Sequence, residues 1–257
     1  MEAIVRGGLS HDSRHPLWII HTSGTVVLAF QDEREGTIGV ERPKIWDDWE
    51  GVDEVTAIPD EASHRAVDKV ILTAGREQGD SMRTAIVCPP VIYGPTRGSC
   101  HNRSMQAYWM SKLVMQRGRG FCVGQGENWV TAVHVQDLTD LYMSLGNCAE
   151  AGGGPASWGA NGYYFAQSQE FKWKEMHKLV AELVFEKGLI SSPRLEYLTK
   201  EQILEICQSG VYAWGLNQRC RAIRACQELG WSPFRPSLRE CFPGIIDSEA
   251  RRLGKSA

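Results

Sequence analysis

The feature that most constrains this sequence is a strand, helix, strand succession in its first third. Leu17-Trp-Ile-Ile-His21 is a short apolar run that passes into Thr22-Ser-Gly-Thr25. A buried parallel strand delivers small hydroxyl residues to the carboxyl edge of a sheet in this way. From Pro59-Asp60 to about Glu77, Ala62, Ala66, Val67, Val70, Ile71 and Ala74 recur at three- and four-residue spacing. This spacing predicts a helix with one apolar face and with Asp60 and Glu61 in its first turn. Arg83-Thr-Ala-Ile-Val-Cys88 reads as a second buried strand, and the following Pro89-Pro90 forbids both helix and continued ladder. Two such strands joined through a helix require a right-handed crossover and a parallel sheet, so the fold class is α/β.

Size and charge bound the rest. The chain has 257 residues, 42% of them hydrophobic, enough for one large or two modest globular domains. Its 28 Lys and Arg against 31 Asp and Glu leave a net charge of -3, and without a basic run no nucleic-acid partner is expected. No apolar run approaches the roughly 20 residues that cross a bilayer. The start, Met1-Glu-Ala-Ile-Val-Arg6, lacks the basic and apolar regions of a signal peptide. A cytoplasmic protein with no membrane partner is expected. Of the eight cysteines, Cys88, Cys122, Cys148 and Cys207 are isolated, and Cys220 and Cys226 lack CxxC spacing, so free thiols are expected. His11, His15, His21 and Cys100-His101 are too scattered for a metal site.

Further along, Gly36 to Pro59, with Trp46-Asp-Asp-Trp49, reads as a long loop able to lie over a site. Ser104 to Met115 reads as helix, Gly120 to Gly126 as a glycine-rich turn, Trp129 to Val135 as strand and Val135 to Leu145 as helix. A strand at Gly162 to Ala166 and helices at Trp173 to Lys187, Lys200 to Ser209 and Asn217 to Leu229 complete the pattern. Gly120-Phe-Cys-Val-Gly-Gln-Gly126 has GxxxGxG spacing. A phosphate loop must follow a strand and open a helix, and this segment precedes the strand-like Trp129 to Val135 instead.

Four motifs in order, Ile20-His-Thr-Ser-Gly-Thr25, Cys88-Pro-Pro-Val-Ile-Tyr-Gly-Pro95, Val133-His-Val-Gln-Asp-Leu138 and Leu229-Gly-Trp-Ser-Pro233, resemble the extended short-chain dehydrogenase/reductase superfamily. These are NAD(P)-dependent epimerases, dehydratases and reductases. The resemblance implies a Rossmann-type sheet with a smaller C-terminal substrate-binding lobe, NAD or NADP as cofactor and a small-molecule substrate. Residues 1–98 would be a remnant of the nucleotide-binding domain, and 99–257 mainly the substrate lobe, with 129–145 returning to the first. The family opens with a glycine-rich turn at a helix N-terminus and a ribose-binding acid. Here that half is missing, because the Thr22 motif stands close to Met1. The expected sheet is therefore incomplete, and its open edge invites a homodimer.

The family's catalytic helix carries Tyr-x-x-x-Lys, one helical turn bringing both side chains to one face. Here the matching stretch is Ser63-His-Arg-Ala-Val-Asp-Lys69, with His64 opposite the Tyr and Asp68 opposite the Lys. Spaced by four, they are expected to form a hydrogen-bonded pair that makes His64 a general acid and base. Ser23 would hydrogen-bond a substrate carbonyl or hydroxyl. The resemblance places Thr22, Pro90, Val91 and Ile92 against the cofactor and Asn128, Trp129 and His134 at the substrate. For His134, a residue that fixes the following helix is the stronger reading. A literal Tyr108-x-x-x-Lys112 falls after the diproline, too late in the chain, and reads as a chance match. Nine tryptophans, several in loop-like segments such as Trp46, Trp109 and Trp129, point toward a large apolar or ring-shaped ligand. The expected function is an NAD(P)-dependent epimerase, dehydratase or reductase acting on a small hydroxylated or carbonyl metabolite. The alternative is a cofactor-free isomerase or lyase, or a non-catalytic binding relative.

Overall fold

The computed structural model describes residues 1–98 and 103–255, so the Cys100-His101 pair lies outside the described residues. The elements that position the site are β1 (Leu17–Thr22), α1 (Arg65–Glu77), β2 (Met82–Cys88), β3 (Val91–Tyr93) and α2 (Gln106–Arg117). They are followed by β4 (Trp129–His134), α3 (Val135–Glu150), β5 (Tyr163–Phe165) and β6 (Gln169–Lys172). β1, β2 and β5 form a parallel sheet in that order, in register from Leu17 opposite Met82 to Thr22 opposite Val87, and with Ile86 opposite Tyr163. A second sheet runs β3, β4, β6, its last pair antiparallel. The architecture is α/β.

β2 is buried along nearly its whole length because it has a strand on each side and α1 packed against it. β1 is half-buried and stands at the edge of its sheet. Two apolar cores result. The first gathers Ile19, Ile71, Leu72, Ile86, Leu141 and Tyr163 around this sheet, and Trp231 packs into it from the C-terminal part. The second gathers Tyr93, Met110, Phe121, Trp173, Trp214 and Phe242. Among the described residues no helix is long and apolar enough to cross a membrane.

The structure corrects four local readings. α1 begins at Arg65, not Asp60, and its buried face is rotated from the expected apolar stripe. Arg65 and Asp68 are buried, while Val67 is 40% exposed. Polar satisfaction decides this: Arg65 donates to the Thr56 carbonyl at 2.6 Å, and Asp68 receives two partners from β1. The Gly36 to Pro59 segment is fastened to the body and forms no free lid. Trp46–Asp47 pairs with Cys220–Arg221, and the fully buried Asp48 carboxylate accepts from the Phe165, Ile223 and Arg224 amides at 2.7, 2.8 and 2.9 Å. Burial pushes the Asp48 carboxyl up to about 6 against those donors. Gly120–Val123 is a strand paired with Leu195–Leu198, and the chain turns only at Gly124 and Gln125. Of Asn217 to Leu229, only Ile223–Leu229 is helix.

Candidate functional site

Alternation along β1 sends His21 and Ser23 to one side and Thr22 to the other. On the first side, Ser23 Oγ donates to Asp68 Oδ2 at 2.6 Å, and His21 Nε2 lies 3.1 Å from Asp68 Oδ1. With the carboxylate ionised, His21 carries its hydrogen on Nε2. Asp68 is 1% exposed, so both of its oxygens are satisfied from one strand. On the other side the Thr22 hydroxyl meets the Tyr142 hydroxyl of α3. The ends of β1 and β2 are laced together: the Ser23 amide donates to Val87 at 2.8 Å and the Thr25 amide to Pro89 at 3.1 Å.

The His64 ring stands across Gly24 from this cluster, and a Cβ added to Gly24 would sit 3.1 Å from His64 Nε2. His64 precedes α1 with φ 66°, the one non-glycine residue with positive φ among the described residues. Such a conformation costs about 1 to 3 kcal/mol and survives where surrounding contacts impose it. Beside it opens a cleft of about 460 Å³, walled by Gly24, His64, Pro89, Pro90, Trp109 and Tyr212 among others, of which Trp109 packs against the second core.

The expected His64 and Asp68 pair is not formed. Asp68 spends its oxygens on Ser23 and His21, and the His64 side chain has no hydrogen bond among the described residues. The structure brings Gly24, His64 and Pro90 to one cleft, while Ser23 and Asp68 are buried beside it and do not line it. His21, which reads in the sequence only as a scattered histidine, joins the buried Ser23 and Asp68 cluster. Its signal is the alternation that puts His21 and Ser23 on one strand face, toward the helix carrying Asp68.

The other named residues lie elsewhere. Val91 is buried in the second core and Ile92 packs against the first, so of the four residues expected at the cofactor only Pro90 walls the cleft. Asn128 is fully buried and donates to the Trp214 and Leu216 carbonyls at 3.2 and 2.9 Å. Trp129 donates to Glu41 at 2.8 Å and lies under Arg219 and Lys172. His134 caps α3, its Nδ1 accepting from the Gln136 amide at 3.1 Å, and burial lowers its pKa. The His134 ring comes so close to Gly94 that a Cβ there would sit 2.2 Å from its Nε2, at φ 92°. None of these three walls the cleft. Tyr108 is buried in the second core, where burial raises its pKa, and Lys112 is exposed.

No protein-family model matches the chain. An oxidase, ucsJ, from an Acremonium species is 29% identical over 250 residues, covering 93% of this chain and 71% of that protein. Among solved structures, a UDP-glucose 4-epimerase from Thermotoga maritima superposes with TM-score 0.56 at 16% identity, over 92% of this chain. A dTDP-glucose 4,6-dehydratase from Streptomyces venezuelae gives 0.58 at 15% identity over 91%, and RMD from Pseudomonas aeruginosa gives 0.55 at 16% over 91%. The chain has the fold of the extended short-chain dehydrogenase/reductases. It spans 64% of the epimerase and 60% of the dehydratase. Of His64 and Asp68, only His64 walls the cleft; Asp68 is buried behind it. Among the described residues, no glycine-rich turn joins a strand to a long helix at the cleft to cradle the phosphates.

Proposed function

We propose that this chain is the substrate side of an NAD(P)-dependent oxidoreductase of the epimerase, dehydratase or reductase kind, acting on a small metabolite at a carbon that bears a hydroxyl or carbonyl. The observation that carries this is the 2.6 Å bond from Ser23 to the buried Asp68. Because Ser23 gives its hydrogen to the carboxylate, its oxygen would accept from a substrate hydroxyl that reaches from the cleft past Gly24 to this buried corner. The substrate proton then passes to Ser23 Oγ as the serine proton passes to Asp68, and the reverse path protonates a nascent alkoxide. His21, on the other carboxylate oxygen, holds Asp68 in line. His64, across Gly24, serves as a hydrogen-bond donor or proton shuttle at the cleft wall. NAD(P), when bound, supplies removal or return of hydride at that carbon. The 29% identical oxidase and the likeness to RMD from Pseudomonas aeruginosa, a protein complexed with NADPH, support the redox reading.

Titration of the chain with NADH and NADPH, followed by tryptophan fluorescence, tests this, with dissociation constants below about 1 mM expected. Absence of binding at several times that concentration would move the assignment to the second reading, a cofactor-free isomerase or lyase with His64 as proton shuttle. The His64 ring at the cleft wall, held there at φ 66° with no hydrogen bond among the described residues, supports that second reading.

A further inference from the structure

The cleft beside His64 has a chemical character of its own. Its walls are Val26, Pro89, Pro90, Met105, Trp109 and Tyr212. Met105 and Tyr212 are 54% and 49% exposed, so large apolar groups stand open to solvent at this place. Isolated apolar residues on a surface need no explanation, but apolar groups gathered around one concave space mark a binding site. The polar groups that join them are uncharged, and several are already engaged. Thr25 donates to Gln218 Oε1 at 2.9 Å, and Gln218 Nε2 donates to the Tyr212 carbonyl at 3.3 Å. No lysine or arginine walls the cleft among the described residues. The formal charge behind the wall is negative, because Ser63 of the lining donates to the Glu33 carboxylate at 3.0 Å. A phosphate or carboxylate brought here would shed water and meet no cation, at a cost that such a site does not offset.

We infer that the substrate of this site is an uncharged, ring-bearing molecule with a ketone or hydroxyl presented to His64, and that nucleoside-diphosphate sugars are excluded. The inference rests on the functional reading above for the oxygen group, and on the walls alone for the rest. Trp109 and Tyr212 offer two aromatic surfaces to the ring. Pro89 and Pro90 add a rigid wall, and the His64 ring in the lining is able to hydrogen-bond the oxygen.

Binding separates this inference from catalysis. Saturation-transfer NMR on the whole chain, with 2-acetylnaphthalene and UDP-glucose as probes, is expected to show the ketone binding at least about tenfold more tightly than the nucleotide sugar. Tyr212→Ala, at an exposed position, should weaken the ketone by about fivefold or more, as loss of an aromatic anchor does. Val26→Arg, which adds a cation to the wall, should weaken the ketone and strengthen UDP-glucose. Where Val26→Arg fails to fold, Tyr212→Ala decides alone. UDP-glucose binding as tightly as the ketone overturns the inference, and so does ketone binding untouched by Tyr212→Ala. Ketone binding that responds to the variants, in a chain that binds neither NADH nor NADPH, sustains the inference while overturning the oxidoreductase reading.

Discussion

His64 holds a backbone conformation that glycine adopts freely and an L side chain adopts at a cost. The imidazole lies over Gly24 at the cleft wall, so the strain coincides with a position where a ring is useful and a smaller residue would suffice for folding. His64→Gly is expected to raise stability by about 0.5 to 1 kcal/mol in chemical denaturation and to abolish turnover of any substrate found for the cleft. His177 presents the opposite case. It is fully buried among the rings of Phe121, Trp173 and Trp214, with no charged group to pair with. Burial pulls its pKa down to about 3. The unfolded chain binds a proton there near pH 6.5, and the folded chain does not until near pH 3. Stability from this residue is therefore complete above pH 6.5 and is lost as pH falls toward 3, by up to about 1.4 kcal/mol per pH unit. His177→Leu should gain on the wild type over that window, as read from urea midpoints at successive pH values. Asp48 titrates in the opposite sense between pH 3.8 and about 6, so the variant-minus-wild-type difference is the quantity to follow.

At the level of elements, α1 shows how far periodicity reaches. The recurrence of Ala62, Ala66, Val67, Val70, Ile71 and Ala74 locates the helix, but the buried face is set by Arg65 and Asp68, whose partners Thr56, Ser23 and His21 are remote in sequence or on another element. Ile71→Ala is expected to cost about 2 to 5 kcal/mol, and Val67→Lys less than about 0.5, where the apolar stripe alone ranks the two positions alike. Thermal denaturation of both variants checks it. The same limit explains the Gly36 to Pro59 segment. Its irregular composition announces a loop, but nothing local announces that Asp48 binds amides of Phe165, Ile223 and Arg224. Asp48→Ala leaves three amides without their acceptor. A loss of about 2 to 4 kcal/mol is expected, with limited proteolysis shifting into residues 36–59. The strand, helix, strand frame is readable because short-range patterns determine it, and it brings the ends of β1 and β2, with Gly24 and Pro90, to the cleft beside His64. The Ser23, Asp68 and His21 cluster is not, because it depends on which way α1 is rotated. The Leu238–Arg252 helix, absent from the periodicity reading, does carry a local signal, the capping box of Ser237 and Glu240.

For the whole molecule, the order β1, β2, β5 leaves β1 paired on one side and β2 on both. Hydrogen exchange should protect β2 throughout and β1 at alternate amides, those bonded to β2. Uniform protection of β1 that grows with protein concentration would show a second copy covering the edge. The cleft, meanwhile, is walled by segments far apart in the chain, with Gly24, His64 and Pro89 from beside β1, α1 and β2 as one bank and Trp109 and Tyr212 from α2 and residues 210–214 as the other. Anything that grips both banks acts as a rivet. Its binding energy is added to the work of prising the halves apart, so the two lobes of an empty chain can loosen one before the other, whereas a filled one melts as a single unit.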